Sequence, residues 1–143
     1  MYQAYANSDY KLLNQHTHLV MTFNTNDNIS KRLTNNYGEI SCPFYSPDGK
    51  FIAYIGKEDG NTEIYIMPSC GGKSKRITYE GAFIVNISNW EGDNIIYSSS
   101  LDTICLRTFE LRRVNYKGGE SQSLGFGISN HITFNNKNKV IGK

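Results

Sequence analysis

A chain of 143 residues has room for one ordinary core, and ten Tyr, seven Phe and thirteen Gly against three Pro favour strands and turns over a helical bundle or a disordered segment. Fifteen basic and thirteen acidic side chains leave a formal charge of +2, too small for the electrostatic attraction on which nucleic-acid and membrane-surface binding depend. Three scattered cysteines, Cys42, Cys70 and Cys105, lack CxxC spacing and cannot all pair within the chain; with no apolar run near the ~18 residues of a membrane span and no secretory leader in MYQAYANSDYKLLNQ, the expected setting is reducing and cytoplasmic.

The first strand signal is Leu19 to Phe23, followed by Lys31-Arg32-Leu33-Thr34. Cys42 to Tyr45 is a second apolar run. Ser46-Pro47-Asp48-Gly49 joins it to Phe51–Ile55, with Pro presetting φ and Gly taking the left-handed position. Glu58-Asp59-Gly60-Asn61 then predicts a hairpin to Glu63–Met67, and Cys70-Gly71-Gly72 predicts a turn into Lys75-Arg76-Ile77-Thr78. Four short antiparallel strands should follow one another as a meander.

The series recurs. Lys31-Arg32-Leu33-Thr34 matches Lys75-Arg76-Ile77-Thr78 at an offset of 44, Ile52-Ala53-Tyr54 matches Ile95-Ile96-Tyr97 at 43, and Gly71-Gly72 matches Gly118-Gly119 at 47. Trp90-Glu91-Gly92-Asp93 echoes the Ser-Pro-Asp-Gly turn, Ser123-Leu124 stands where Arg76-Ile77 stood, and His131–Phe134 with Val140–Gly142 repeats the first two strands. A period in the low-to-mid forties with four strands per unit is that of propeller blades, each of which needs neighbours to cover both faces. The expected fold is all-β, about three four-stranded antiparallel blades of a partial or open β-propeller. The units are approximately 1–34, 35–78, 79–124 and an incomplete 125–143, with the chain entering late in its first blade. Unpaired edges at both ends would leave an open arc or drive self-association.

The segment Phe44 to Tyr79, FYSPDGKFIAYIGKEDGNTEIYIMPSCGGKSKRITY, resembles the repeat of TolB-type propellers and of the amino-terminal propeller of tricorn protease. Tyr79-Glu80-Gly81-Ala82, Trp90, an irregular insertion around Ser98 to Thr108, Leu124-Gly125-Phe126-Gly127 and the ending Ile132–Lys143 are similar to the tricorn propeller in particular, and the likeness runs from about residue 18 to 143. Departures are Trp90-Glu91-Gly92-Asp93 and Asn135-Asn136-Lys137-Asn138 in place of Ser-Pro-Asp-Gly. The resemblance implies a large cytosolic serine peptidase that trims oligopeptides and forms a hexamer, with its catalytic groups in carboxy-terminal domains. This chain is then expected to be non-catalytic, a scaffold and gate for oligopeptides whose partners are the remaining propeller and peptidase domains. The alternative is an independent TolB-like module for protein–protein interaction.

No catalytic, cofactor-binding or metal residue is assigned. Ser46 with Asp48 sits in a turn with no G-x-S-x-G motif and no triad spacing. His16 and His18 share one strand face, and with His131 could hold a metal, but no Cys or carboxylate ligand has matching spacing. Glu58-Asp59-Gly60-Asn61 lacks the pattern of a calcium loop, and neither Gly71-Gly72 nor Gly118-Gly119 precedes the helix of a phosphate loop. Lys73–Arg76 reads as a solvated strand edge. Tyr37, Tyr45, Tyr54, Tyr65 and Tyr97 read as packing between blades rather than as a peptide-binding surface at the channel.

Overall fold

The computed structural model describes residues 2–5, 10–15, 19–34, 39–57, 60–81, 83–100, 108–129, 131–134 and 139–142. Strands β1 (Tyr2–Tyr5), β2 (Tyr10–Gln15), β3 (Leu19–Asn24) and β4 (Ser30–Arg32) form a first sheet. A second comprises β5 (Ile40–Tyr45), β6 (Phe51–Gly56), β7 (Glu63–Pro68) and β8 (Lys75–Arg76). The third has β9 (Ile84–Glu91), β10 (Asn94–Ser100), β11 (Phe109–Asn115) and β12 (Gln122–Phe126), and β13 (His131–Phe134) pairs with β14 (Lys139–Gly142). Within each sheet every strand runs antiparallel to the next in the chain. These are the four-stranded antiparallel sheets the repeat predicts.

Strand alternation explains why β6 and β7 are apolar at nearly every position. Ile52, Tyr54, Tyr65 and Met67 pack with Val20 and Leu33 of the first sheet. Their neighbours Ala53, Ile55, Ile64 and Ile66 pack with Ile84, Ile87, Trp90, Ile95, Tyr97 and Val114 of the third. Successive side chains point to opposite faces, so a sheet between two others must be apolar on both. In the third sheet Ile96 and Leu111 turn the other way and meet Ile132 of the terminal hairpin. The first strands β1, β5, β9 and β13 approach one another in that order, which places them at a common axis with later strands radiating outward.

The repeated motifs have repeated geometry. Leu33 N–H donates to the Val20 carbonyl at 2.9 Å, Val20 N–H to Thr34 Oγ1 at 2.9 Å, and Arg32 Nε to the Thr34 carbonyl at 2.6 Å. Forty-four residues on, Ile77 N–H donates to Ile64 at 2.9 Å, Ile64 N–H to Thr78 Oγ1 at 2.8 Å, and Arg76 Nε to the Thr78 carbonyl at 2.8 Å. The threonine hydroxyl thus satisfies a backbone donor where the short fourth strand has ended. Between sheets, Lys31 Nζ donates to the Cys70 carbonyl at 3.1 Å and Lys75 Nζ to that of Lys117 at 2.9 Å. Gly71 and Gly118, at φ +94° and +99°, make the turns that present those carbonyls.

Three sequence readings change. The first sheet already has four strands from Tyr2 on, so the chain does not enter late in a blade; β1 and β2 lack the Asp-Gly turn that made the later hairpin legible. Of the irregular insertion expected around Ser98 to Thr108, Ser98–Ser100 instead extend β10 and are buried, and 101–107 lie outside the described residues. The two connecting turns also differ. Ser46 to Lys50 form a wide turn stapled by side chains, whereas Gly92-Asp93 form a two-residue hairpin between the paired Glu91 and Asn94, with Gly92 at φ +54°.

Candidate functional site

Two features of the junction between the second and third sheets concentrate polar and aromatic chemistry. The first is a carboxylate seam. Glu63, wholly buried at the start of β7, accepts from Arg76 Nη2 at 2.8 Å, from Thr78 Oγ1 at 2.5 Å and from the Glu80 and Gly81 amides at 3.3 Å each. Glu110 occupies the same register position in β11, since Glu63 pairs with Gly56 and Glu110 with Ser99. It accepts from Ser123 Oγ and from Arg112 Nη1, the latter at 2.6 Å, and the Ser123 bond, then the arginine, holds its carboxyl below the usual range.

Glu80, in the link between the two sheets, joins this network by accepting from the Tyr97 hydroxyl at 2.6 Å and from Ser121 Oγ at 2.5 Å, with Arg112 Nε 3.2 Å away. Burial, then the bond to Glu80, raises the Tyr97 phenol well above its ordinary range. These donors and acceptors satisfy one another, so the seam is an adhesive between sheets. Sequence reasoning missed it. Its signal was the offset of 47 between Glu63 and Glu110, the same as between the glycine pairs.

The second feature is a groove of about 250 Å³ where the β5–β6 turn of the second sheet faces the β9–β10 turn of the third. Its walls include the rings of Phe51, Trp90 and Tyr116, with Phe51–Tyr116 centroids 5.6 Å apart and Trp90–Tyr116 centroids 6.0 Å apart. Asp48 and Asp93 stand at its rim. Trp90 is held by its indole N–H, which donates to the Gly92 carbonyl at 3.0 Å.

Ser46 and Asp48, the pair tested as a nucleophile site, form the staple of this turn. Ser46 Oγ donates to Asp48 Oδ1 at 2.6 Å and accepts from the Phe51 amide at 2.9 Å, while Lys50 N–H donates to Asp48 at 3.1 Å. The Ser46 and Lys50 bonds hold the Asp48 carboxyl below its ordinary range. The hydroxyl is committed to the turn in both of its roles. His16, His18, Tyr37, Glu58, Asp59 and Cys105 lie outside the described residues, and His131 is placed only as backbone in β13. Among the described residues, no group of three or more His, Cys, Asp or Glu is arranged to hold a metal ion.

Tyr45, Tyr54, Tyr65 and Tyr97 are all buried, as packing between sheets requires. The Lys73–Arg76 run is more than a solvated edge. Lys75 reaches the next sheet and Arg76 pairs with buried Glu63, also lying 4.4 Å over the exposed Tyr79 ring. Buried carboxylates and open carbonyls of neighbouring sheets supply partners that the local sequence could not reveal.

A family model described as the tricorn protease N-terminal β-propeller domain matches residues 18–142. The chain is 29% identical over 117 residues to a putative tricorn-like protease N-terminal subunit of Sulfurisphaera tokodaii, covering 78% of this chain and 59% of that one. Among solved structures, a putative TolB from Agrobacterium tumefaciens superposes with a TM-score of 0.75 at 19% identity, covering 91% of this chain and 52% of the other. The tricorn protease superposes at 0.74 and 20% identity, covering 94% and 14% respectively. The chain spans between 8% and 59% of the length of the curated relatives it matches. Among the described residues no helix is long and apolar enough to cross a membrane.

Proposed function

The chain belongs to the tricorn protease N-terminal β-propeller family, and on that premise we propose that it is a non-catalytic propeller segment, a scaffold and gate for oligopeptides alongside the peptidase domains of a tricorn-like protease in the cytoplasm. The observation that carries this reading is the commitment of both faces of the middle sheets to their neighbours. Among the described residues, the axial edge of the first strands, the outer edges and the loops at the two ends are left for other molecules. Such surfaces suit passage and docking of extended chains. The seam and the Ser46–Asp48 staple spend their reactive groups on one another, which favours scaffold over chemistry. The repeat units are taken as 1–34, 35–78, 79–124 and 125–143.

The test compares the chain alone with the chain added to separately expressed tricorn peptidase domains, using fluorogenic oligopeptides of graded length. Alone it should give no turnover sensitive to a serine-directed inhibitor. Added to the peptidase domains, it should change the relative rates at which long and short peptides are trimmed and leave single-residue amides unaffected. Inhibitor-sensitive turnover by the chain alone, or identical length profiles with and without it, would overturn the proposal.

A further inference from the structure

We infer that the aromatic groove between the second and third sheets is a subsite for a lysine or arginine side chain of an oligopeptide. The inference rests on the peptide-handling reading above and adds to it a place and a preference.

The equivalent positions one sheet earlier differ in chemistry. Register makes Tyr45 and Trp90 equivalent, since they pair with Ile52 and Ile95. Ser69 and Tyr116 are equivalent because their amides donate to the Lys50 and Asp93 carbonyls, at 2.8 and 2.9 Å. The fold therefore accepts serine where Tyr116 stands, although here the half-buried ring also packs against the core between the second and third sheets. The charge is inverted at one position as well: the carbonyl register that matches Ser69 with Tyr116 matches Lys50 with Asp93.

Asp48 Oδ1 is taken up by the turn, accepting from Ser46 Oγ and the Lys50 amide, which leaves Oδ2. The cation nearest Asp48 is Lys50 at 3.5 Å, with the two side chains 51% and 75% exposed, a pairing weak enough for an incoming cation to displace. The Asp93 carboxylate engages no partner among the described residues. Lys117 Nζ already lies 5.6 Å from the Tyr116 ring centroid, so this ring accepts a cation at its face. An arginine or lysine entering between the turns would lay its aliphatic stem along Phe51 and Tyr116 and set its charged head between Asp48 and Asp93.

Trp90 is the chain's single tryptophan and lines the groove, so its emission reports occupancy directly. End-capped Gly-Arg-Gly, Gly-Lys-Gly and Gly-Glu-Gly are titrated against the chain, and retention of a mixed oligopeptide pool is measured in parallel by equilibrium dialysis. The two basic peptides should give saturable changes in emission and the acidic one none over the same range. Asp93→Asn and Tyr116→Ser should each weaken the basic peptides about two- to fivefold, with circular dichroism unchanged. Should Tyr116→Ser unfold the chain, surface-exposed Asp93→Asn still decides. Equal responses to acidic and basic peptides, or wild-type affinity in Asp93→Asn, would overturn the subsite. Pool retention without a Trp90 response overturns the subsite and leaves the gate reading standing; absence of retention by any readout overturns both.

Discussion

Thr78 Oγ1 donates to Glu63 at 2.5 Å while the same oxygen accepts the Ile64 amide at 2.8 Å, so one hydroxyl joins a buried carboxylate to the backbone beside it. Thr34 makes the matching acceptor contact with Val20 in the first sheet. Replacing either threonine by valine keeps shape and strands a buried N–H, at a cost of about 1–3 kcal/mol. Urea denaturation should show Thr78→Val as the more damaging, because it also strips a donor from Glu63. Equal losses would mean that the Glu63 contact contributes nothing.

Arg76 is 20% exposed and Glu63 fully buried, so the two partners of this ion pair are not equivalent. Removing the arginine leaves a charge in the interior, whereas removing the carboxylate leaves a cation that can turn toward water. Arg76→Ala is expected to cost about 3–5 kcal/mol and Glu63→Gln less. Chemical denaturation of the two variants checks the order.

Gly56, at the end of β6, has no room for a side chain. A Cβ there would lie 3.0 Å from Tyr65 Cδ2 and 3.2 Å from Tyr54 Cε2, the two rings being stacked with centroids 5.6 Å apart. Gly56→Ala should destabilise by about 1–3 kcal/mol through overpacking. Pairing it with Tyr65→Leu should recover part of the loss, and a thermal-melt double-mutant cycle reads the coupling.

Tyr97 sets an alkaline limit. Burial, then the bond to Glu80, raises its folded-state pKa above that of the unfolded phenol, so at high pH the folded state holds a proton that the unfolded state has lost. Its contribution is complete below about pH 10, the ordinary tyrosine value, and declines as pH rises beyond it. Denaturant midpoints from pH 8 to 11 should fall more steeply for the native chain than for Tyr97→Phe. Parallel curves would assign the alkaline loss elsewhere.

Much of this molecule was readable along the chain because propeller strands are joined by short turns whose chemistry is local. Pro47, Asp48 and Gly49 specify a turn without reference to anything distant, and Lys75-Arg76-Ile77-Thr78 repeats an earlier tetrapeptide because the hydrogen bonds it makes are repeated. The first hairpin was not legible, since Tyr2–Tyr5 and Tyr10–Gln15 carry neither strict alternation nor a turn signature. Lys75 and Arg76 were read as solvated for a similar reason: their partners, the Lys117 carbonyl and Glu63, lie 42 and 13 residues away.

The amino-acid order by itself determined four-strand units, their period and the need for neighbours on both faces, because period-two alternation and turn chemistry act over a few residues. Only the tertiary structure decided which side chains meet across a sheet junction. Glu80 finds Tyr97 and Arg112, and Phe51 finds Tyr116, because radial stacking brings together positions that no local rule connects.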